Sequence, residues 1–405
     1  MSPSFIHLPD GSVTSAPGFL AGATSAGIKS SAAERADLAL LCALTPCTAA
    51  AVYTTNRLKA APLLLTQRHL ADGRAQAVIV NSGNANCLTG QQGMRDAMEM
   101  ADLVANRLNI PVTDVIVAST GVTGWPLPIE RIRAALPRIQ TTEDGGDAFA
   151  HAIMTTDTVA KQVAVRFAYG DVEYTVGGCA KGSGMIHPQM ATMLAFLTTD
   201  APVAGAVLAE TLREAVDTSF NMITVDGDTS TNDMAVILAS GAAGGGDSFE
   251  HGHPAAPAFQ AAVREVCMGL ARRLARDGEG ATKLIEVRVE GAASVDDARR
   301  AARTVAGSPL VKTALHGGDP NWGRVLAAAG RSGAELQETR ITLHLQDTCV
   351  FQGAPVPFDE PALGAALSHP EVRIHLDLGV GQGVATAWGC DLSQEYVRIN
   401  SEYTT

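Results

Sequence analysis

The chain has 405 residues, 30 basic and 42 acidic, giving a formal net charge of −12 at pH 7. With 46% apolar and 18% charged residues it is too hydrophobic for a disordered chain, and its length predicts two or three lobes around a sizeable core. The acidic balance argues against sequence-independent nucleic-acid binding and against polybasic contact with a membrane. Leu38 to Leu41 and Ala50 to Thr54 read as short strands, and Ala75 to Val80 as another, ending in the turn-forming run Asn81-Ser82-Gly83-Asn84-Ala85-Asn86. From Gly93 to Leu108 the apolar residues recur at helical spacing. Val115 to Ala118 is a strand running into Ser119-Thr120-Gly121. Val163 to Phe167 and Val172 to Val176 alternate around Gly170-Asp171, which predicts a hairpin.

The second half continues the mixture. Helices are predicted at Val203 to Val216, Ala258 to Ala275, Ser294 to Val305 and Gly323 to Ala329, the third opened by a capping-box-like Ser294-Val295-Asp296-Asp297. Strands are predicted at Met193 to Leu197, Leu284 to Val289, Ile341 to Leu345 and Val372 to Leu376. Gly241 to Pro257 reads as a surface loop, in which His251 and His253 are a weak metal hint and a better fit to a solvated loop. The fold class is mixed α/β (α+β), with layered sheets covered by helices.

The seven cysteines, at 42, 47, 87, 179, 267, 349 and 390, are scattered without a C-x-x-C, unlike a disulfide framework or a structural zinc site. Met1 to Phe5 lacks the basic and apolar regions of a signal peptide, and the greasy stretch Leu38 to Tyr53 is broken by Pro46 and too short to span a bilayer. The expectation is a protein of the reducing cytosol with no bound metal or cofactor.

The densest chemistry lies between Gly177 and Leu194. A phosphate loop fails there, because the order is Lys181-Gly182-Ser183 and Pro188 follows where a helix should start. A serine-hydrolase elbow on Ser183 fails because Lys181 stands two residues before it in place of glycine. A third reading makes Thr192 a nucleophile at a self-cleaving Ala191-Thr192 bond. A threonine hydroxyl needs a base, and its own freed α-amine, with an unperturbed pKa of about 7.7–8.0, can be that base once the preceding bond is cut. On spacing alone, an ordinary threonine entering a strand is the simpler reading.

The run Lys181-Gly182-Ser183-Gly184-Met185-Ile186-His187-Pro188-Gln189-Met190-Ala191-Thr192-Met193-Leu194 resembles the self-processing motif of the glutamate N-acetyltransferase/ornithine acetyltransferase family of arginine biosynthesis. Further matches follow in the family's order: Thr54-Thr55-Asn56-Arg57, Asn81 to Asn86, Ser119-Thr120-Gly121, Met154-Thr155-Thr156-Asp157-Thr158, Asp226 to Asp233, Asp277 to Lys283, Asp319 to Arg324, and the tail Asn400 to Thr405. The resemblance implies the layered fold of self-processing aminopeptidases and a cut before Thr192. The products would be an α chain of residues 1–191 and a β chain of 192–405, assembled as an α2β2 heterotetramer.

It further implies ping-pong transfer of an acetyl group from N-acetylornithine to glutamate through an ester on Thr192. Thr120 and Gly121 would form the oxyanion hole. Lys181 would meet a substrate carboxylate and Glu279 the ammonium side. Asn400, Thr405 and one of Thr155 and Thr156 would contact substrate. Acetyl-CoA is a co-substrate for some members of that family and not others, and the residues do not distinguish the two. Gln189 stands where the family commonly has Asn, which bears on the rate of processing. His187, beside the scissile loop, is a weaker candidate for general base than the freed amine. Two other readings stay open: a self-processing amidohydrolase or aminopeptidase, and a nucleotide-binding protein, although Gly379 to Gly383 is too short for a dinucleotide fingerprint.

Overall fold

The computed structural model describes residues 5–29, 35–187, 193–244 and 247–402. Ala191, Thr192, Gln189 and Thr405, all singled out above, lie outside the described residues. The first half supplies strands β1 (Ile6–Leu8), β2 (Phe19–Thr24), β3 (Leu38–Tyr53), β4 (Arg74–Asn84), β5 (Val115–Val122), β6 (Lys161–Tyr169) and β7 (Val172–Lys181). The second supplies β8 (Leu194–Thr199), β9 (Ile223–Thr224), β10 (Met234–Ala239), β11 (Leu284–Ala292), β12 (Thr342–Leu345), β13 (Thr348–Gln352), β14 (Glu371–Asp377) and β15 (Gly383–Cys390). The larger sheet runs β1-β6-β7-β8-β10-β3-β4-β5, with β2 also paired to β3. The smaller runs β13-β12-β14-β11-β15-β9.

Helices α1 (Ala61–His69), α2 (Gly90–Leu108), α3 (Ile129–Ala135) and α4 (Gly146–Ala152) cover the strands of the first half. In the second half come α5 (Gly205–Thr218), α6 (Ala256–Arg276), α7 (Val295–Ala306), α8 (Pro309–His316), α9 (Trp322–Gly330), α10 (Glu360–Leu367) and α11 (Gln394–Glu402). Helix α6 touches strands of both sheets, and its Phe259, Val263, Val266 and Leu270 join Val165 and Leu197 of the first sheet to Ile285 and Ile374 of the second in one continuous core. The layered mixed α/β class is thus the observed one. The predicted helix start at Ser294 is also present: its side chain caps α7 by accepting the Asp297 N–H at 3.1 Å.

One element differs in kind from the expectation. Leu38–Leu41 and the segment from Ala50 to Tyr53 are two ends of a single strand, β3, and Thr54 lies just past its end. Pro46 does not break it, because the pairing with β4 shifts register between Cys42 and Cys47 and residues 44–46 are exposed there. In that bulge no ladder bond needs the N–H that proline lacks. Strand β10, central in the large sheet, carries no predicted element at all; its six residues are all apolar and fully buried, so they show no period.

No helix among the described residues is long and apolar enough to cross a membrane. His253 stacks on Phe249 with ring centroids 4.8 Å apart, and His251 faces Glu210 at 3.6 Å, so the two histidines of the loop turn to different neighbours.

The joint between the layers can be tested at Phe259, which is wholly buried on α6 between Phe167 and Phe249. Phe259→Ala is expected to destabilise the chain by about 3–5 kcal/mol, read as a lower urea midpoint.

Candidate active site

The site is built where the strand ends of the large sheet meet three loops. Strands β4 and β5 run parallel, so the turn run after Val80 lies beside Ser119-Thr120-Gly121, with Gly83 opposite Gly121. That approach needs glycine. Gly121 has φ of +128°, and a Cβ there would stand 2.3 Å from the Gly83 carbonyl carbon.

Asparagines fix the surrounding turns. Asn81 Nδ2 donates to the Asn84 carbonyl at 2.8 Å, and Asn81 Oδ1 accepts the Ser119 hydroxyl at 2.6 Å. Asn232, just ahead of β10, donates to the carbonyls of Ala85 and Ser119 at 2.7 and 2.8 Å. A buried amide that satisfies two carbonyls otherwise left bare ties the second half of the chain to the Thr120 turn.

Lys181 ends β7 and is only 5% exposed, with Nζ 3.2 Å from Thr120 Oγ1. Burial lowers its pKa, and the carboxylates of Asp157, Asp233 and Glu279 pull it back. Asp157 organises what surrounds it. Its Oδ1 accepts the Gly182 N–H at 2.6 Å and Lys161 Nζ at 2.6 Å, while Oδ2 accepts the Thr155 N–H at 2.9 Å. Lys161, fully buried, continues to Asp277 at 2.5 Å, which in turn takes the Thr158 N–H at 3.1 Å. Burial alone would raise the Asp157 carboxyl; Lys181 and Lys161 outweigh it and hold it at about 2.

Beyond Gly182 the chain is clamped on both sides. Ser183 is buried, its hydroxyl 2.7 Å from Thr156 Oγ1 and its carbonyl accepting the Glu279 N–H at 2.8 Å. A Cβ on Gly184 would meet the Glu279 carboxylate at 2.5 Å, so the missing side chain is the space that Glu279 occupies. Asn400 of α11 donates to Glu279 Oε2 at 2.7 Å. Asp226 takes the N–H groups of Met185 and Ile186 at 2.6 and 2.9 Å, and Met185 sits at φ of +55°.

These groups enclose a cavity of about 350 Å³. Thr120, Gly121, Thr155, Thr156, Lys181, Glu279 and Asn400 all line it. Larger clefts elsewhere, such as the 710 Å³ one around Gln346 and Arg373, lack this convergence of buried polar groups. His187 does not line the cavity. Its Nδ1 lies 3.1 Å from Thr224 Oγ1, and burial together with nearby Arg303 pushes its pKa down.

Four residues of the site region carried no role in the sequence: Asp157, Ser230, Asn232 and Asp233. Each lies in a motif noted above, and the sequence signal for the last three was a dense run of Asp, Asn, Ser and Thr before an apolar hexapeptide. Among the described residues no group of His, Cys, Asp and Glu is arranged to hold a metal ion.

A layered α/β fold with a small cavity on which a buried lysine, a carboxylate and a glycine turn converge fits an enzyme acting on a small molecule. The ArgJ family description matches residues 20–405, and the chain belongs to that family. It is 51% identical over 406 residues to the arginine biosynthesis bifunctional protein ArgJ of Dehalococcoides mccartyi, covering all of both chains. The crystal structure of the Bacillus halodurans protein of the same name is 45% identical with a TM-score of 0.50, over 51% of this chain and 98% of that one. The ornithine acetyltransferase of Mycobacterium tuberculosis, solved with ornithine, is 42% identical with a TM-score of 0.43, over 46% of this chain and 98% of that one. The chain is an acetyltransferase of arginine biosynthesis.

The depressed Asp157 carboxyl carries a pH signature. Its folded pKa of about 2 lies below the ordinary carboxylate value, so the stability it contributes is present above about pH 4 and is lost as pH falls towards 2. The wild-type unfolding free energy read from urea titrations should fall over that window, by about 2–3 kcal/mol from this group. Asp157→Asn should lose that part of the pH dependence and be the less stable protein at pH 7.

Proposed function

We propose that the chain transfers the acetyl group of N-acetylornithine to glutamate by a ping-pong route through an acetyl ester on Thr192, after cutting itself between Ala191 and Thr192. The observation that carries this reading is the meeting of Thr120, Gly121, Lys181 and Glu279 on one cavity beside the β7–β8 pair. Lys181, on the cavity wall, stands opposite Leu194 in that ladder, two positions after Thr192 in the sequence.

The chemistry follows from those groups. The freed α-amine of Thr192 takes the proton of its own hydroxyl as the oxygen attacks the acetyl carbonyl. A tetrahedral oxyanion forms, collapses with loss of ornithine, and forms again when the amine of glutamate attacks the ester. Lys181 donates to Thr120 Oγ1, which leaves the hydroxyl proton of Thr120 free to turn towards an oxyanion beside the Gly121 backbone. Lys181 supplies positive charge for a substrate carboxylate, and Glu279, oriented by Asn400, faces the ammonium end. Thr155 and Thr156 line the same wall. The Thr156 hydroxyl is already engaged with Ser183, so Thr155 is the one we assign to substrate. Thr405 joins them as part of the substrate-contacting tail.

Cutting would give chains of 191 and 214 residues. They stay together because β8 pairs with β7 and β10 pairs with β3, strands of opposite halves. The Bacillus halodurans chain supports a two-chain product, since a match over 98% of its length spans only 51% of this one. Two such pairs form the α2β2 assembly, working in the cytosol.

Intact mass of the denatured protein should give two species, one beginning Thr192-Met193-Leu194. Thr192→Ala should remain one species and lose activity by about 10⁴-fold or more. Ornithine release from N-acetylornithine should depend on glutamate. Glutamate-independent release would make the chain a hydrolase instead, and uncut wild type with full activity would overturn the Thr192 route. Acetyl-CoA offered as donor in the same assay decides whether the chain also performs the first acetylation.

A further inference from the structure

The two groups proposed to meet the oxyanion, Thr120 and Gly121, are backed by a part of the chain that the mechanism does not use. Asp37 lies just before β3 and is 1% exposed. Its carboxylate accepts backbone N–H groups from the stretch that follows β2. Oδ1 takes that of Ala26 at 2.5 Å, and Oδ2 those of Ile28 and Lys29 at 2.5 and 3.1 Å. Hydrogen bonds to an ionised acceptor are about twice as strong as neutral ones, and together they satisfy a carboxylate that has no water to turn to. Residues 26–29 are thereby wrapped as a row of N–H groups around one anion.

Two routes lead from Asp37 to the oxyanion turn. The first is its own backbone: the Asp37 carbonyl accepts the Ser82 N–H at 2.9 Å, and Ser82 stands beside Thr120 in the β4–β5 ladder. The second is a stack of three backbones. A Cβ on Gly83 would lie 2.8 Å from both the nitrogen and the Cα of Lys29, and Gly83 is in turn the backbone against which Gly121 packs. Lys29 is tied at its far end as well, with Nζ donating to the carbonyls of Ala36 and Ala152 at 3.2 Å each. It therefore closes the side towards which Gly83 could withdraw. The charge of Asp37 is taken up by the N–H groups it accepts, and it acts on Gly121 only through the backbones of Lys29 and Gly83.

We infer that Asp37 is a positioning residue for acetyl transfer: through Ser82, and through Lys29 and Gly83, it fixes Thr120 and Gly121 where the oxyanion develops. The inference rests on the oxyanion role proposed above for those two residues. Donors stabilise a developing charge only where they are already held in place, and a misplacement of about 1 Å can cost about 100-fold in rate. Loosening this backing should slow acetylation while Glu279, held by separate contacts on the far wall, still binds the donor.

The test is single-turnover acetylation. Mature enzyme is mixed with excess N-acetylornithine without glutamate, and the acetyl ester on the chain of residues 192–405 is followed by intact mass. The rate constant reports the chemical step, whereas the amplitude reports how much of the enzyme is competent. A purely structural defect moves the second and not the first. Asp37→Asn, which keeps the volume and one acceptor oxygen, should acetylate about 10–100-fold more slowly at saturating donor. Its half-saturating donor concentration should stay within about threefold of wild type. Gly83→Ala, which wedges a methyl group between the same backbones without touching Asp37, should lower the rate constant in the same range. The inference is overturned if Asp37→Asn keeps the wild-type rate constant, or if only its amplitude or half-saturating concentration changes. Should Asp37→Asn fail to fold, a wild-type rate constant in Gly83→Ala overturns it instead. A wild type that forms no acetyl ester at all overturns the Thr192 reading, and this inference with it.

Discussion

Lys161 sits wholly out of water between Asp157 and Asp277, and the shape of the cavity depends on that arrangement. A buried ammonium must be matched by charge, so the two carboxylates cannot move apart without stranding it. Asp157 belongs to the loop that carries Thr155 and Thr156, and Asp277 to the segment that leads to Glu279. One cation thus sets the distance between the threonine wall and the carboxylate wall. Because Asp157 also accepts the Gly182 N–H, the same ion pair fixes where β7 ends and where Lys181 points. Replacing the cluster with apolar side chains could preserve packing, yet it would lose this three-way registration.

The two sides of the site are built by different means. On the Thr120 side, close backbone approach does the positioning: Gly121 lies against Gly83, and neutral amides such as Asn81 and Asn232 satisfy the carbonyls that the turns expose. On the Glu279 side the positioning is electrostatic, through Asp226, Asp277 and the lysines. The oxyanion role proposed for Thr120 and Gly121 would benefit from fixed carboxylates gathered on the opposite side, since a negative charge beside them would oppose the developing one.

How much of this was legible in the sequence differs by element. Helix α2, the β6–β7 hairpin and the Ser294 cap of α7 all announce themselves through short-range pattern, and all stand in the fold. Strand β10 did not, because Met234 to Ala239 is buried on both faces and an unbroken apolar run fits a strand or a helix equally. Strand β3 was read as two because proline normally ends a strand, and the bulge that accommodates it depends on its partner. The site divides in the same way. Thr120, Gly121, Lys181, Glu279 and Asn400 were named through the family resemblance and converge in space. Of the contacts that hold them, Asp157–Lys161 spans only four positions, but Lys161–Asp277 joins residues more than a hundred positions apart, and no local spacing reports such a contact.

The interleaving of the two halves in the large sheet bears on how the mature protein is supplied. From the cavity strand inwards the order is β7, β8, β10, β3, so strands from after position 192 lie sandwiched between strands from before it. With the cut proposed before position 192, neither polypeptide would be a detachable subunit, because β8 and β10 fill the gap between β7 and β3. On that reading a single message would deliver both polypeptides in equal number and already threaded. Two separate genes would have to solve stoichiometry and strand insertion as distinct problems.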